Sequence, residues 1–150
     1  MKYLAIMITF LLAIPGLQPA VEEVETVTIT VMIDGIRNTS GSIGVALFNE
    51  DSDFPDDEPF KATEVSLKST GGVEVTFEDV PAGDYAIGVM HDENDNGDID
   101  FNEYGMPLEG FGFSNDAMGD QGPPDFDAAA FTADEDTELV VTLIYMGGWD

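Results

Sequence analysis

The stretch Val27-Thr28-Ile29-Thr30-Val31-Met32-Ile33-Asp34-Gly35 decides the fold class. Val27, Ile29, Val31 and Ile33 recur at every second position with Thr28, Thr30 and Met32 between them, the period of an extended strand with one face in a core. The same alternation returns in Ile43, Val45 and Leu47, in Val65 and Leu67, and in Val73, Val75 and Phe77. It continues in Tyr85, Ile87 and Val89 and in Leu139, Val141, Leu143 and Tyr145, with a shorter candidate at Ala130 to Thr132. Turn chemistry punctuates the runs. Asp34-Gly35 and Ser40-Gly41 separate the first two, Gly71-Gly72 reads as a tight hairpin between the third and fourth, and Pro81-Ala82-Gly83 closes the fourth. No helical period of useful length interrupts them. The expectation is an all-β, antiparallel Ig-like or transthyretin-like sandwich of about seven strands, one domain over residues 21–150, with one long ordered loop.

Composition bounds the partners. The chain has 150 residues, four Lys or Arg, 31 Asp or Glu, no Cys, and a formal charge of −27. Nucleic acid and anionic membrane surfaces need a basic footprint and are electrostatically excluded; cations are the natural partners. A hydrophobic fraction of 43% is too rich for a disordered acidic tail, so a packed core coexists with the charge. Without Cys there is no disulfide, thiol nucleophile or thiolate metal site.

The first residues form an address. Lys2 precedes an almost unbroken apolar run from Tyr3 to Ile14, followed by Pro15, Gly16 and a small-residue exit at Ala20. This is the build of a signal peptide over residues 1–20, too short for the roughly 20 apolar residues of a bilayer span. A periplasmic or secreted protein is expected, and its export leaves three bases against 31 acids.

Strand periodicity stops between Asp92 and Asp127. Loops this long are usually functional or disordered, and Tyr104, Phe111, Phe113 and Phe126 argue for one that folds back as a cap. It opens with Asp92-Glu93-Asn94-Asp95-Asn96-Gly97-Asp98-Ile99-Asp100-Phe101-Asn102-Glu103, which matches the calcium-loop pattern D-x-[DN]-x-[DN]-G-x5-E at every defined position. Oxygens at alternate positions can converge on one hard cation. Asp92, Asn94, Asn96, Asp100 and Glu103 supply side chains, Asp98 its carbonyl, and Gly97 the turn, with Ile99 as an anchor to the core. An all-oxygen set favours calcium over zinc or copper. Because a strand precedes the loop and Gly105 and Pro107 follow it, helix-loop-helix is excluded, and acidic composition alone does not place Gly97, Ile99 and Glu103 in register.

Other candidates carry less. The acidic segment Asn49 to Phe60 lacks the turn glycine and reads as a solvated loop pinned by Phe54 and Phe60. His91 shares parity with Tyr85, Ile87 and Val89 and reads as a hydrogen-bonded rim residue, since no second His or Cys builds a transition-metal site. Gly112-Phe113-Ser114-Asn115-Asp116 lacks the second Gly of a nucleophile elbow, so Ser114 reads as a turn residue. Trp149 reads as packing at the domain edge.

The run Phe77-Glu78-Asp79-Val80-Pro81-Ala82-Gly83-Asp84-Tyr85-Ala86-Ile87, then His91-Asp92-Glu93-Asn94, and Gly105-Met106-Pro107-Leu108-Glu109-Gly110-Phe111-Gly112-Phe113-Ser114-Asn115 resembles the bacterial family catalogued as domain of unknown function 2141. Gly122-Pro123-Pro124-Asp125-Phe126 continues the likeness, and Pro81-Ala82-Gly83-Asp84-Tyr85 is also similar to a turn of transthyretin-like and carboxypeptidase-regulatory sandwiches. The resemblance implies an exported β-sandwich with no assigned activity. It also implies more Lys around these motifs than this chain has, which carries no Lys or Arg after Lys68 and so suggests adaptation to salt. The functional expectation is a non-enzymatic domain whose calcium-ordered loop presents a surface to a protein or glycan. The alternative is an extracellular, polysaccharide-active hydrolase using two of the acids.

Overall fold

The computed structural model describes residues 23–50, 53–56 and 58–147. The expected signal peptide and Trp149 lie outside them. Two β-sheets face each other across one core. The first has the order β4-β1-β8, with β1 at Thr26–Asp34, β4 at Val73–Pro81 and β8 at Thr137–Thr142. The second has the order β3-β2-β5-β6, with β2 at Ser42–Asn49, β3 at Lys61–Ser66, β5 at Gly83–Asp92 and β6 at Gly110–Phe113; the short β7, Phe131–Ala133, also pairs with β5.

The period-two residues are the core. Val27, Ile29, Val31 and Ile33 meet Ile43, Val45, Leu47, Tyr85, Ile87 and Val89, closed by Val75, Phe77, Val80, Val141 and Leu143. A bulge keeps β4 in phase. Val27 pairs with Val80 while Ile29 pairs with Phe77, so β4 carries one extra residue, and Asp79 there adopts φ 53°. The insertion returns both Phe77 and Val80 to the inner face. Lys61 at the start of β3 donates from Nζ to the Glu78 and Asp79 carbonyls beside that bulge, tying an edge of one sheet to an edge of the other.

A second apolar layer covers the outer face of the β2–β5 sheet. Phe54 packs edge-on against Phe48, Phe113 and Phe126 at centroid distances of 5.1, 5.6 and 6.2 Å, above Ala86 and Ala129. Phe54 therefore pins the acidic 50–60 loop as expected. Phe60 has its ring 5.9 Å from that of Tyr85 and is 40% exposed.

Three details depart from the sequence reading. The described residues form eight strands, because the supposedly patternless 92–127 segment contains β6. Gly71-Gly72 is no hairpin: β3 pairs with β2 and β4 with β1, so the turn carries the chain from one sheet to the other. One pairing is parallel, β1 with β8 from Ile29↔Thr137 to Asp34↔Thr142, while the remaining strand pairs are antiparallel.

Candidate functional site

At one end of the sandwich the ends of β1, β5 and β8 meet the starts of β2 and β6, and the 93–109 loop rises from that rim. The root of the loop is Asp92, buried where β5 ends. Gly41 lets the β1–β2 connection press on it: at φ 64°, a Cβ there would lie 1.8 Å from the Asp92 carbonyl oxygen.

From this root the loop coils through a series of side-chain to main-chain hydrogen bonds. Asp92 accepts the Asn96 N–H at Oδ1 (3.1 Å) and the Gly97 N–H at Oδ2 (2.7 Å). Asn94 Oδ1 accepts the Asn96 N–H at 3.1 Å and Asn96 Oδ1 the Asp98 N–H at 3.0 Å, two successive side-chain turns. Gly97 has φ 88° and open space where a Cβ would sit, so glycine serves the left-handed backbone there and no close neighbour demands it. The side chains of Asn94 and Asn96 converge on Asp100, donating from Nδ2 to its carboxylate at 2.6 Å and 3.2 Å.

Asp92, Asn94, Asn96 and Asp100 are thus brought into one hydrogen-bonded turn. Glu103 is not: it sits exposed in the Asn102–Gly105 turn, with no hydrogen bond among the described residues. Asp98 lies exposed with its N–H engaged, and Ile99 is only half-buried and outside the core cluster. Among the described residues, no three His, Cys, Asp or Glu side chains are grouped to hold a metal ion. A cation in this loop would therefore draw on the two Asn side chains and main-chain carbonyls as well as carboxylates, a donor set still wholly of oxygen and suited to calcium.

The residue missed in the sequence is Glu109. It is 4% exposed, and its two oxygens clasp both ends of the loop: Oε1 accepts the Glu93 N–H at 2.8 Å and Oε2 the Asp100 N–H at 3.0 Å. Its place next to Gly110 in the quoted family motif was a signal, although no spacing rule assigns that role.

Arg37 braces the same loop. Its guanidinium forms an ion pair with Glu93, donates to the Gly147 carbonyl at 2.9 Å and the Leu108 carbonyl at 3.2 Å, and lies 4.4 Å over the Tyr145 ring. The Arg37 hydrogen bond, with help from Asn38, holds the Glu93 carboxyl below the usual carboxylate range. Tyr145 extends the network inward. Its hydroxyl accepts the Arg37 N–H at 3.2 Å and meets His91 Nδ1 at 2.8 Å, and burial pushes its phenol up. His91 is fully buried, and Nε2 lies 2.8 Å from the Ser40 carbonyl, which can only accept. Nε2 therefore carries a proton and donates to that carbonyl. The expected hydrogen-bonded rim histidine is what the fold contains.

Ser114 also serves structure. It is fully buried, accepts the Ile87 N–H at 2.9 Å and donates to the Ala129 carbonyl, which ties β5 to the covering layer. Of the four aromatics expected in a cap, Phe111 and Phe113 lie in β6 and Phe126 packs on the outer layer, but Tyr104 is 79% exposed. A separate shallow depression is lined by Thr28, Thr30, Asp136, Thr137 and Glu138, near the starts of β1 and β8 and away from His91.

The profile of the family described as "Uncharacterized protein conserved in bacteria (DUF2141)" matches residues 31–140, from the middle of β1 through most of β8. No curated protein and no solved structure matches the chain. The matched span contains Arg37, His91, the coiled loop, Glu109 and Ser114, and on this match over most of its length the chain belongs to the bacterial family of domain of unknown function 2141.

Proposed function

We propose that this is an exported, non-enzymatic binding module in which one calcium ion, taken up by residues 92–103, fixes the loop that the sandwich presents. The observation that carries the reading is the coil itself: Asp92 clamps the Asn96 and Gly97 N–H groups while Asn94 and Asn96 close on Asp100. Asp100, lacking any cationic side chain in its hydrogen bonds, meets only amide N–H groups. A hard cation supplies the missing positive charge and turns the two amide oxygens inward. Glu103 joins when its turn swings onto the ion. The start of the chain, with Lys2 before its apolar run, supports a periplasmic or secreted location, where millimolar calcium suits a site of modest affinity.

An ion that binds only the folded form stabilises by RT ln(1 + [L]/Kd), about 2.7 kcal/mol at 100 times the dissociation constant. Calorimetric titration and thermal melts at fixed high NaCl test it. Asp92→Ala and Glu103→Ala should lose most of the calcium response, while Asp53→Ala, in the other acidic loop, should keep it. Equal responses in all three would mean that general charge relief, and no site, explains the effect.

A further inference from the structure

Beyond the coil, residues 100–108 form a small antiparallel finger. Phe101 bridges Pro107, the Leu108 N–H donates to the Asp100 carbonyl at 2.8 Å, and the Asn102 N–H to the Met106 carbonyl at 2.9 Å. The Asn102 side chain accepts the Tyr104 and Met106 N–H groups at 2.9 and 3.0 Å and so sets the tip. This ordered segment is unusually apolar on the outside. Four of the ten exposed large apolar side chains among the described residues, Phe101, Tyr104, Met106 and Leu108, fall within it. A fifth, Met146, adjoins Gly147, which abuts Leu108. Single exposed apolar residues need no explanation, but a cluster on one projecting element marks a contact surface. Strand alternation puts Phe101 and Pro107 on one face and Met106 and Leu108 on the other.

Charge says what can cover it. Asp95, Asp98, Asp100 and Glu103 flank the finger, its only nearby cation among the described residues is Arg37, already engaged, and the whole chain carries −27. A second copy, an anionic lipid surface and nucleic acid are all repelled. Sugar rings stack on flat aromatic faces, and the Met106 and Leu108 side offers none. We propose that the finger docks a segment of a partner protein that carries Lys or Arg on either side of an apolar stripe. The stripe packs on Tyr104 at the tip and on the Met106 and Leu108 face, and the flanking cations meet the loop acids. Because the finger is held by its own main-chain bonds, little ordering entropy is lost on contact. The proposal deepens the binding role above and rests on that reading.

The test uses the full chain, saturated with calcium at ~0.15 M salt, and two labelled peptides of equal charge, one amphipathic with Lys and Leu, the other with every Leu replaced by Ser. The Lys/Leu peptide should bind at least tenfold more tightly. The triple variant Tyr104→Ser, Met106→Ser, Leu108→Ser, of unchanged charge, should lose that preference. Met32→Ser with Val140→Ser, which removes exposed apolar side chains from the other sheet, should keep it, and unchanged melting confirms that each variant folds. No preference in the parent, or one that survives in the triple variant, overturns the docking proposal whatever calcium does. Binding to zwitterionic vesicles that the triple variant abolishes also overturns it, by assigning the finger to lipid. A preference that persists in a parent that takes up no calcium leaves the finger in place and removes the calcium reading alone.

Discussion

Replacing Glu109 by glutamine asks whether the loop is held by a carboxylate or merely by a side chain of that shape. Each oxygen of Glu109 accepts one main-chain N–H, from Glu93 and from Asp100. A glutamine of the same size has one oxygen. Whichever way its amide lies, either the Glu93 or the Asp100 N–H faces another donor in a site that is 4% exposed. Stranding a buried donor costs roughly 1–3 kcal/mol, a large part of the 5–15 kcal/mol typical of a domain. Urea denaturation of Glu109→Gln should therefore show a lower midpoint with an unchanged slope. If the loop opens by itself and the sandwich survives, the loss appears instead in hydrogen exchange, where ~1.4 kcal/mol is a tenfold fall in protection of the Glu93 and Asp100 amides. A variant that denatures with its parent and keeps both amides protected would refute the clasp.

Other expectations follow from the same network. Arg37→Met removes an ion pair, two charged bonds to carbonyls and the stacking on Tyr145; partial exposure limits the loss to about 2–3 kcal/mol, read by urea denaturation. Glu93 has a depressed folded pKa, so its contribution is complete above the unfolded carboxyl value of ~4.3 and is lost as pH falls through the lower folded value. Acid titration of stability should be shallower in Arg37→Met across that range. Ser114→Ala strands the Ile87 N–H and the Ala129 carbonyl in a fully buried place, at roughly 1–3 kcal/mol each, and thermal melting should drop accordingly. With a charge of −27, the melting temperature should rise between low and molar NaCl, where the screening length falls from ~10 Å at 0.1 M to ~3 Å at 1 M; no rise would discard self-repulsion as a term in stability.

What could be read in the sequence is what is local. In β1 one face is buried and the next residue is not, so the period-two pattern is the structure written in residue types; β2 and β5 keep that inward face, while the outer layer buries Phe48 and Ala86 on the opposite side as well. β6 escapes because Gly110-Phe111-Gly112-Phe113 alternates nothing polar with anything apolar and is buried along most of its length. Gly71-Gly72 announces a reversal of direction but cannot say which sheet receives the next strand; that depends on β1 lying free to pair with β4. The site divides in the same way. Asp92, Asn94, Asn96 and Gly97 bond within five residues of one another, and a spacing pattern finds them. Glu109 reaches across 16 and 9 residues, and Arg37 across 56, 71 and 110, separations that only the folded sheets make short.

The parallel pairing of β1 with β8 has a mechanical consequence. Their six residue pairs run in the same direction, so Thr26 enters at one end of the ladder and Thr142 leaves at the other. Tension applied through those two points pulls the strands lengthwise past each other and loads every rung of the ladder together. The same tension applied at Asp34 and Thr142, which are paired at one end, would peel the rungs apart singly. A domain stretched between its two flanks thus meets force in its stiffer direction, with rupture governed by how fast the whole ladder shears.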